Sequence, residues 1–339
     1  MQDRYGREID YLRISITDRC NLRCRYCMPE DIEMVPMKEI LTFEEIAEVA
    51  EAASGLGLTK IKITGGEPLV RWGVSSLIRM LKDTEGIRRV TLTTNGLLLD
   101  EKLDELLEAG IDGINISLDT LDPDRYRDIT GTDGLDKVLK GLDSVLEKGI
   151  PVKINAVSID WEKYNGITRE DKETGISDDT KALIGLAREN PVDVRFIELM
   201  PIGFGQSFPG IPHDRLIRGI RECFPDLEVD HSRHGNGPAV YYHIPGYSGS
   251  VGFISAIQGK FCDTCNRIRL TSKGILKSCL CYDTGVNIKE ILRSSDHIED
   301  RKEALRHSLE QCIILKPESH FFTEREKISE KNAMSAIGG

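Results

Sequence analysis

Between Tyr11 and about Leu199, short β-rich runs alternate with stretches of helical periodicity. The runs predict strands over 12–16, 60–64, 89–93, 113–118, 152–157 and 192–199. Six such units imply a parallel sheet, because parallel neighbours need crossover helices between them. One helix is signalled locally by Thr42 three residues before Glu45, a capping-box spacing, with Ile46, Val49 and Ala50 continuing along one apolar face. Parallel strands joined by helices build an open sheet or a curved partial barrel, and in both the ligands gather at the carboxyl ends of the strands.

That rule sorts the polar singularities. Three cysteines follow the first strand, Gly65-Gly66-Glu67-Pro68 follows the second, and Thr93-Thr94-Asn95-Gly96 follows the third. Ser117-Leu118-Asp119 ends the fourth strand, Lys153 and Asn155 lie within the fifth, and Glu198-Leu199-Met200-Pro201 ends the sixth. Most of them point to one mouth. The charged, turn-rich stretch 160–179 reads as an excursion between a strand and a helix. After about Pro201 the pattern changes: a helix is expected over 214–223, β segments near 239–244 and 250–257, and helices over 287–294 and 298–309, before a mostly polar end. No internal sequence repeat is seen.

A chain of 339 residues suits one large α/β domain or a main domain with an appendage. The net charge of -11 argues against broad nucleic-acid binding, so any anionic ligand must meet local basic groups. No apolar run approaches the roughly 20 residues of a membrane span, and the start MQDRYGREID lacks a signal-peptide core, which predicts a cytoplasmic protein. Nine cysteines in a reducing compartment read as metal ligands in place of disulfides.

Cys20, Cys24 and Cys27 supply thiolates at a spacing that suits an iron–sulfur cluster. A four-iron cubane offers four irons, and no fourth cysteine lies nearby, so one iron is left open to bind a small molecule. The rival is a zinc knot, which wants four protein ligands. A second group, Cys262-Asp263-Thr264-Cys265 with Cys279-Leu280-Cys281, supplies four thiolates, enough for a closed zinc ribbon. If 279–281 is extended, Cys279 and Cys281 point to one side and either could reach in. No G-x-x-x-x-G-K-[ST] loop is present to cradle phosphates.

The first cysteine motif with Tyr26, together with the downstream Gly-Gly-Glu-Pro, resembles the radical S-adenosylmethionine enzymes. That resemblance implies a partial (βα)6 TIM-like barrel over residues 1–220, with a C-terminal α+β extension over 221–339 closing its mouth. It implies a [4Fe-4S] cluster on Cys20, Cys24 and Cys27 whose open iron chelates S-adenosylmethionine and reduces it to a deoxyadenosyl radical. Gly65 and Gly66 would let the backbone approach the cofactor, since no Cβ intervenes.

Narrower features, the run from Leu12 to Cys20, Cys27-Met28-Pro29, Thr93-Thr94-Asn95-Gly96, Arg195-Phe196-Ile197-Glu198 and the second cysteine group, resemble the GTP 3′,8-cyclase family within that superfamily. This implies a second [4Fe-4S] cluster on Cys262, Cys265 and Cys279, with its open iron facing the purine of GTP; Cys281 departs from the family pattern. Also implied are GTP contacts from Arg13, Lys62, Thr93, Lys153, Arg267, Ile268 and Arg269, and cofactor contacts from Tyr26, Gly66, Glu67, Ser117 and Met200. Position 62 often carries arginine in the family, so Lys62 keeps the charge but loses the planar fork. A Gly338-Gly339 tail in the active site, an electron donor such as flavodoxin or ferredoxin, a downstream cyclic pyranopterin monophosphate synthase and a homodimer are further implications. The expected product is 3′,8-cyclo-7,8-dihydro-GTP. Cys223 and Cys312 are read as structural thiols. The rivals are a radical enzyme acting on a peptide and a non-catalytic zinc module.

Overall fold

The computed structural model describes residues 1–28, 34–166, 176–232, 234–294 and 297–338. Its strands are β1 (Tyr11–Ser15), β2 (Lys60–Thr64), β3 (Arg89–Thr94), β4 (Ile114–Ser117), β5 (Val152–Ser158), β6 (Asp193–Glu198), β7 (Glu228–Asp230), β8 (Val240–His243), β9 (Ser250–Ile254), β10 (Arg267–Leu270), β11 (Ile275–Lys277) and β12 (Val286–Asn287). Its helices are α1 (Phe43–Gly55), α2 (Val74–Asp83), α3 (Leu99–Glu108), α4 (Pro123–Thr130), α5 (Leu135–Glu147), α6 (Trp161–Tyr164), α7 (Asp178–Glu189), α8 (His213–Cys223), α9 (Lys289–Leu292), α10 (Ile298–Ile314) and α11 (Met334–Ile337).

The six expected strands lie side by side in chain order. Outside them, β10 runs parallel to β1 and β9 runs parallel to β6, so eight neighbouring strands share one direction. Antiparallel β11–β12 and β8–β7 complete the two edges, and the sheet is an open, partial barrel. The region beyond residue 220 therefore builds both rims of the sheet that the first 200 residues begin.

Register explains which residues line the interior. Leu12 and Ile14 stand beside Ile61 and Ile63, which stand beside Val90 and Leu92, all buried under the helical layer. Period two then forces the intervening residues to the other face, where Arg269, Arg13, Lys62 and Thr91 form one row across β10–β3. On the remaining strands Asn155 pairs with Arg195, and Thr93, Asn115, Lys153 and Asp193 form a second row. The barrel lumen is thus polar and basic while the outer face is aliphatic.

Local signals hold where the sequence carried them. Thr42 Oγ1 accepts from the Glu45 amide at 3.2 Å, and the Thr42 amide donates to Glu45 Oε2 at 2.7 Å, which closes the capping box of α1. Helix α10 packs along α1 through Arg301–Glu48 at 2.7 Å and Lys302–Glu51 at 3.0 Å. It runs five residues past the expected end because Cys312 and Ile313 are buried in the core. Conversely, α9 is shorter than expected, since Val286 and Asn287 pair with β11 instead. Cys312 is a buried structural thiol, but Cys223 is exposed at the end of α8, which corrects that reading. Of the excursion 160–179, residues 167–175 lie outside the described residues, as does Pro29. Among the described residues, no helix is long and apolar enough to cross a membrane.

Candidate active site

The first cysteine loop leaves β1 and is fastened to the end of α4. Arg23 N donates to the Thr130 carbonyl at 2.9 Å and Arg25 N to the Ile129 carbonyl at 3.0 Å, on either side of Cys24. The amides of Cys27 and Met28 both donate to the Cys24 carbonyl at 2.9 Å, a tight turn that turns Cys24 and Cys27 toward one space. Behind the loop lies the Gly65-Gly66 turn. A Cβ on Gly66 would stand 2.3 Å from the Arg19 carbonyl oxygen, so glycine is required here by the cysteine loop itself. Burial raises the thiols of all three cysteines, Cys27 to about 12, so iron must displace protons to bind.

Tyr26 is anchored outside the triad. Its hydroxyl donates to Asp119 Oδ2 at 2.7 Å, and Asp119 Oδ1 accepts from Val157 N at 2.8 Å, which ties the loop to the ends of β4 and β5. Burial raises the Asp119 carboxyl in spite of those two bonds. Trp161 of α6 sits over Tyr26 with ring centroids 6.3 Å apart. Glu67 turns away from the opening: its buried carboxylate accepts from Leu69 N at 2.9 Å, Thr94 Oγ1 at 2.7 Å and Asn95 N at 2.6 Å. Burial outweighs those bonds and lifts its carboxyl to about 7.

The second group of cysteines lines the same cavity as the first. Cys265 N donates to the Cys262 carbonyl at 3.1 Å in a single 3₁₀ turn. Two residues that sequence reasoning missed hold this loop. Arg7 donates to the carbonyls of Cys262 and Glu318, each at 2.9 Å, and of Pro317 at 2.7 Å, while Lys316 donates to the carbonyl of Arg267 at 2.9 Å and to that of Ser278. No motif marks them, since their partners are brought together from distant parts of the chain. Burial works to raise the Cys265 thiol, but Arg267 and Lys316 outweigh it and bring it down to about 6. Cys279 reaches the cavity wall. Cys281 is fully buried behind it with Ile202, Phe322 and Ile337, and its sulfur accepts from Phe321 N at 3.4 Å.

One cavity of about 310 Å3 joins the two groups. Cys20, Cys24 and Cys27 stand on its wall with Cys262, Cys265 and Cys279. Tyr26, Gly66, Thr93, Ser117 and Met200 also line it, as do Arg13, Arg267 and Arg269. Glu67 and Lys62 do not reach its wall, and Ile268 points to the aliphatic face, leaving only its main chain toward the lumen. Lys153 is engaged below with Asp193, the His234 carbonyl and, at 3.1 Å, the Tyr241 hydroxyl. Arg195, a buried lumen residue whose role sequence reasoning missed, donates to Asn155 Oδ1 at 3.0 Å. The larger depression, of about 680 Å3, opens at the amino ends of β1–β3 and carries no thiol.

The charge balance of the lumen is unusual. Burial brings Arg13 down to about 10 and Arg269 to about 9, and in both cases neighbouring arginines push the same way. Lys62 is driven well below its ordinary value by burial, then by Arg195, Arg13, Lys153 and Arg267. Arg13 Nε and Arg267 Nε are buried without a hydrogen-bond partner among the described residues. Crowded cations with orphaned donors fit a polyanionic ligand. Gly338 stands beside them, its carbonyl accepting from Arg269 Nη1 at 2.6 Å; Gly339 lies outside the described residues.

The donor sets fit iron–sulfur clusters. Cys20, Cys24 and Cys27, and likewise Cys262, Cys265 and Cys279, line the same cavity, and three thiolates are one fewer than the irons of a four-iron cluster.

Comparison with known proteins shows the family. The family model "Radical SAM superfamily" matches residues 14–167, and "Molybdenum Cofactor Synthesis C" matches residues 192–322. The chain is 44% identical over the full length of both sequences to the GTP 3′,8-cyclase of Clostridium perfringens (strain 13 / Type A). It belongs to the GTP 3′,8-cyclase family. The family's protein from Alkaliphilus oremlandii is 41% identical, again over the whole of both chains. Among solved structures, Streptococcus suis SuiB bound to S-adenosylmethionine aligns with a TM-score of 0.62 at 14% identity, covering 96% of this chain and 76% of that one. That likeness concerns the fold.

Proposed function

We propose that this chain is a radical S-adenosylmethionine enzyme that converts GTP to (8S)-3′,8-cyclo-7,8-dihydroguanosine 5′-triphosphate, the first step of molybdenum cofactor biosynthesis. The observation that carries the reading is the single cavity with an incomplete set of three thiols on each wall and unpaired arginine donors between them. Cys20, Cys24 and Cys27 hold one [4Fe-4S] cluster and Cys262, Cys265 and Cys279 a second, and Cys281, shut behind the wall, is not a ligand. A cluster bound there would, with S-adenosylmethionine, supply the carbon radical that the conversion needs; in the balance the C3′ hydrogen ends on 5′-deoxyadenosine, a C3′–C8 bond forms, and a further electron and a proton are taken up.

The chain's own residues orient and enclose. Tyr26, Gly66, Ser117 and Met200 border the cofactor. Arg13, Arg267 and Arg269 hold the triphosphate, with Arg195 adding positive potential from below. Fixing the nucleotide matters because a carbon radical attacks almost any hydrogen within reach. Region 1–220 carries the radical source and 221–339 the substrate-side cluster. A one-electron donor such as flavodoxin or ferredoxin supplies the electrons in the cytoplasm, and cyclic pyranopterin monophosphate synthase consumes the product. Anaerobic incubation of reduced protein with S-adenosylmethionine and GTP should yield 5′-deoxyadenosine and the cyclised nucleotide together. Equal 5′-deoxyadenosine without GTP, and no cyclised nucleotide, would overturn the assignment.

A further inference from the structure

The second group of cysteines is spread over two segments, Cys262 and Cys265 in one loop and Cys279 just after β11, so local chain geometry does not fix Cys279 relative to the other two. A third segment does. Helix α10 ends at Ile314, and the chain then carries Lys316, Pro317, Glu318, Ser319 and His320 along the cavity wall. Lys316, 3% exposed, donates to the carbonyl of Arg267 at 2.9 Å, two residues beyond Cys265, and to that of Ser278, which immediately precedes Cys279. Further along, the Ser319 carbonyl accepts from the Tyr282 hydroxyl at 2.9 Å.

Cys262 is fastened from the start of the chain. Arg7 Nη1 donates to the Cys262 and Glu318 carbonyls, each at 2.9 Å, and Nη2 to the Pro317 carbonyl at 2.7 Å, so one planar fork joins the cysteine loop to the 316–319 segment. Arg7 Nε donates to Asp3 Oδ2 at 2.6 Å, and Asp3 Oδ1 accepts from the amides of Tyr5 at 2.9 Å and Arg7 at 3.0 Å. Both cations stand on the cavity wall, yet each is engaged by main-chain carbonyls. They differ in this from Arg13 and Arg267, whose Nε atoms have no partner among the described residues.

We infer that Arg7 and Lys316 are positioning residues that set Cys262, Cys265 and Cys279 in place for the second cluster, with the N-terminal turn of residues 3–7 as part of that site. The inference rests on the cluster assignment in the proposed function. A thiol set held by the protein's own hydrogen bonds does not rely on the metal to gather it, and the open iron then stands at one fixed place relative to the nucleotide.

The test follows iron release to a chelator from the anaerobic, full-length, two-cluster protein. Electron paramagnetic resonance assigns each phase, since S-adenosylmethionine perturbs the N-terminal signal and GTP the C-terminal one. Arg7→Met and Lys316→Met keep much of the buried stem and delete the donors. Each should speed loss of the C-terminal irons about tenfold or more, the worth of one hydrogen bond to a charged group, and raise the GTP needed for half-maximal perturbation by a similar factor. Release of the N-terminal irons and the response to S-adenosylmethionine should stay as in wild type. Arg7→Lys retains the charge without the fork and should resemble Arg7→Met. Asp3→Asn weakens the support of the fork and should move both readouts the same way by about fivefold; it decides the matter if Arg7→Met does not fold. Unchanged C-terminal release and GTP response, equal acceleration of both sets of irons, or full rescue by Arg7→Lys would overturn the inference. A wild-type protein that holds only about four irons per chain would overturn the underlying cluster assignment instead.

Discussion

One buried ion pair anchors the polar end of the chain beside the cavity. Lys277, at the end of β11, meets Glu330 with side-chain exposures of 3% and 0%. Glu330 Oε1 also accepts from the Asn332 amide and from Asn332 Nδ2, both at 2.8 Å. Beyond this anchor the chain delivers Met334 and Ser335 to the cavity wall and the Gly338 carbonyl to Arg269. Lys277→Met keeps most of the buried stem but strands the carboxylate. Removing one partner of a buried pair costs about 3–5 kcal/mol. The loss has a ceiling, because a stranded carboxyl can take up a proton; for an ordinary glutamate that costs about 5 kcal/mol at pH 8 and about 2.3 kcal/mol at pH 6. The penalty should therefore be larger at pH 8. Since the pair secures an end segment, it should appear as local opening. Hydrogen exchange of the 328–338 segment checks this. At pH 8 a penalty of about 3 kcal/mol speeds exchange of its bonded amides, including Glu330 and Ala336, by about 150-fold. At pH 6 the acceleration should stay below about 50-fold. Unchanged protection at pH 8, or a loss as large at pH 6, would refute the reasoning.

Other consequences can be measured directly. Arg269→Met removes a buried guanidinium from the cavity wall and should weaken anaerobic GTP binding by about 10- to 150-fold, the worth of one charged hydrogen bond, with S-adenosylmethionine binding unchanged; equal GTP affinity would count against the phosphate role. Cys279→Ser should lower iron from about eight to about four atoms per chain whereas Cys281→Ser keeps about eight, and the reverse pattern would reassign the ligand. Glu67, whose carboxyl is raised to about 7 in the fold, contributes stability that is complete below about pH 4.5 and is lost as pH rises through 7. Wild type should lose about 3 kcal/mol relative to Glu67→Gln across that window in urea unfolding, and parallel curves would show that Glu67 does not titrate there.

Which features are legible in the chain follows from locality. The positions of the six core strands, the capping box of α1 and the cysteine loop are each encoded within a few residues, so pattern and spacing expose them. Strand alternation also placed Arg13 and Lys62 on strands beside the ligand end. It could not tell which strands would be neighbours at the edges. β9 and β10 are short, with β10 only four residues long, yet they lie parallel to β6 and β1 and pair the backbone groups along the edges of those strands. Arg7 and Lys316 had no motif at all; they serve by donating to carbonyls brought together from distant parts of the chain. Cys223 misled because a thiol's burial depends on what packs over it, not on its isolation in sequence.

The sequence by itself determined the chemistry available: two groups of thiols, a run of lumen-facing cations, and the strand-helix alternation that carries them. Tertiary structure decided which of those atoms meet. Cys279 and Cys281 are two residues apart with the same side-chain chemistry, and only the packing of Phe321, Phe322 and Ile337 puts one on the cavity wall and closes the other behind it. Likewise Lys153 and Arg269 are both basic strand residues, but Asp193 engages the first at the floor while the second borders the cavity. The physical reason is the same in each case. Ligand chemistry is a property of the side chain, whereas access, partner and charge are set by neighbours that lie tens or hundreds of residues away in the chain.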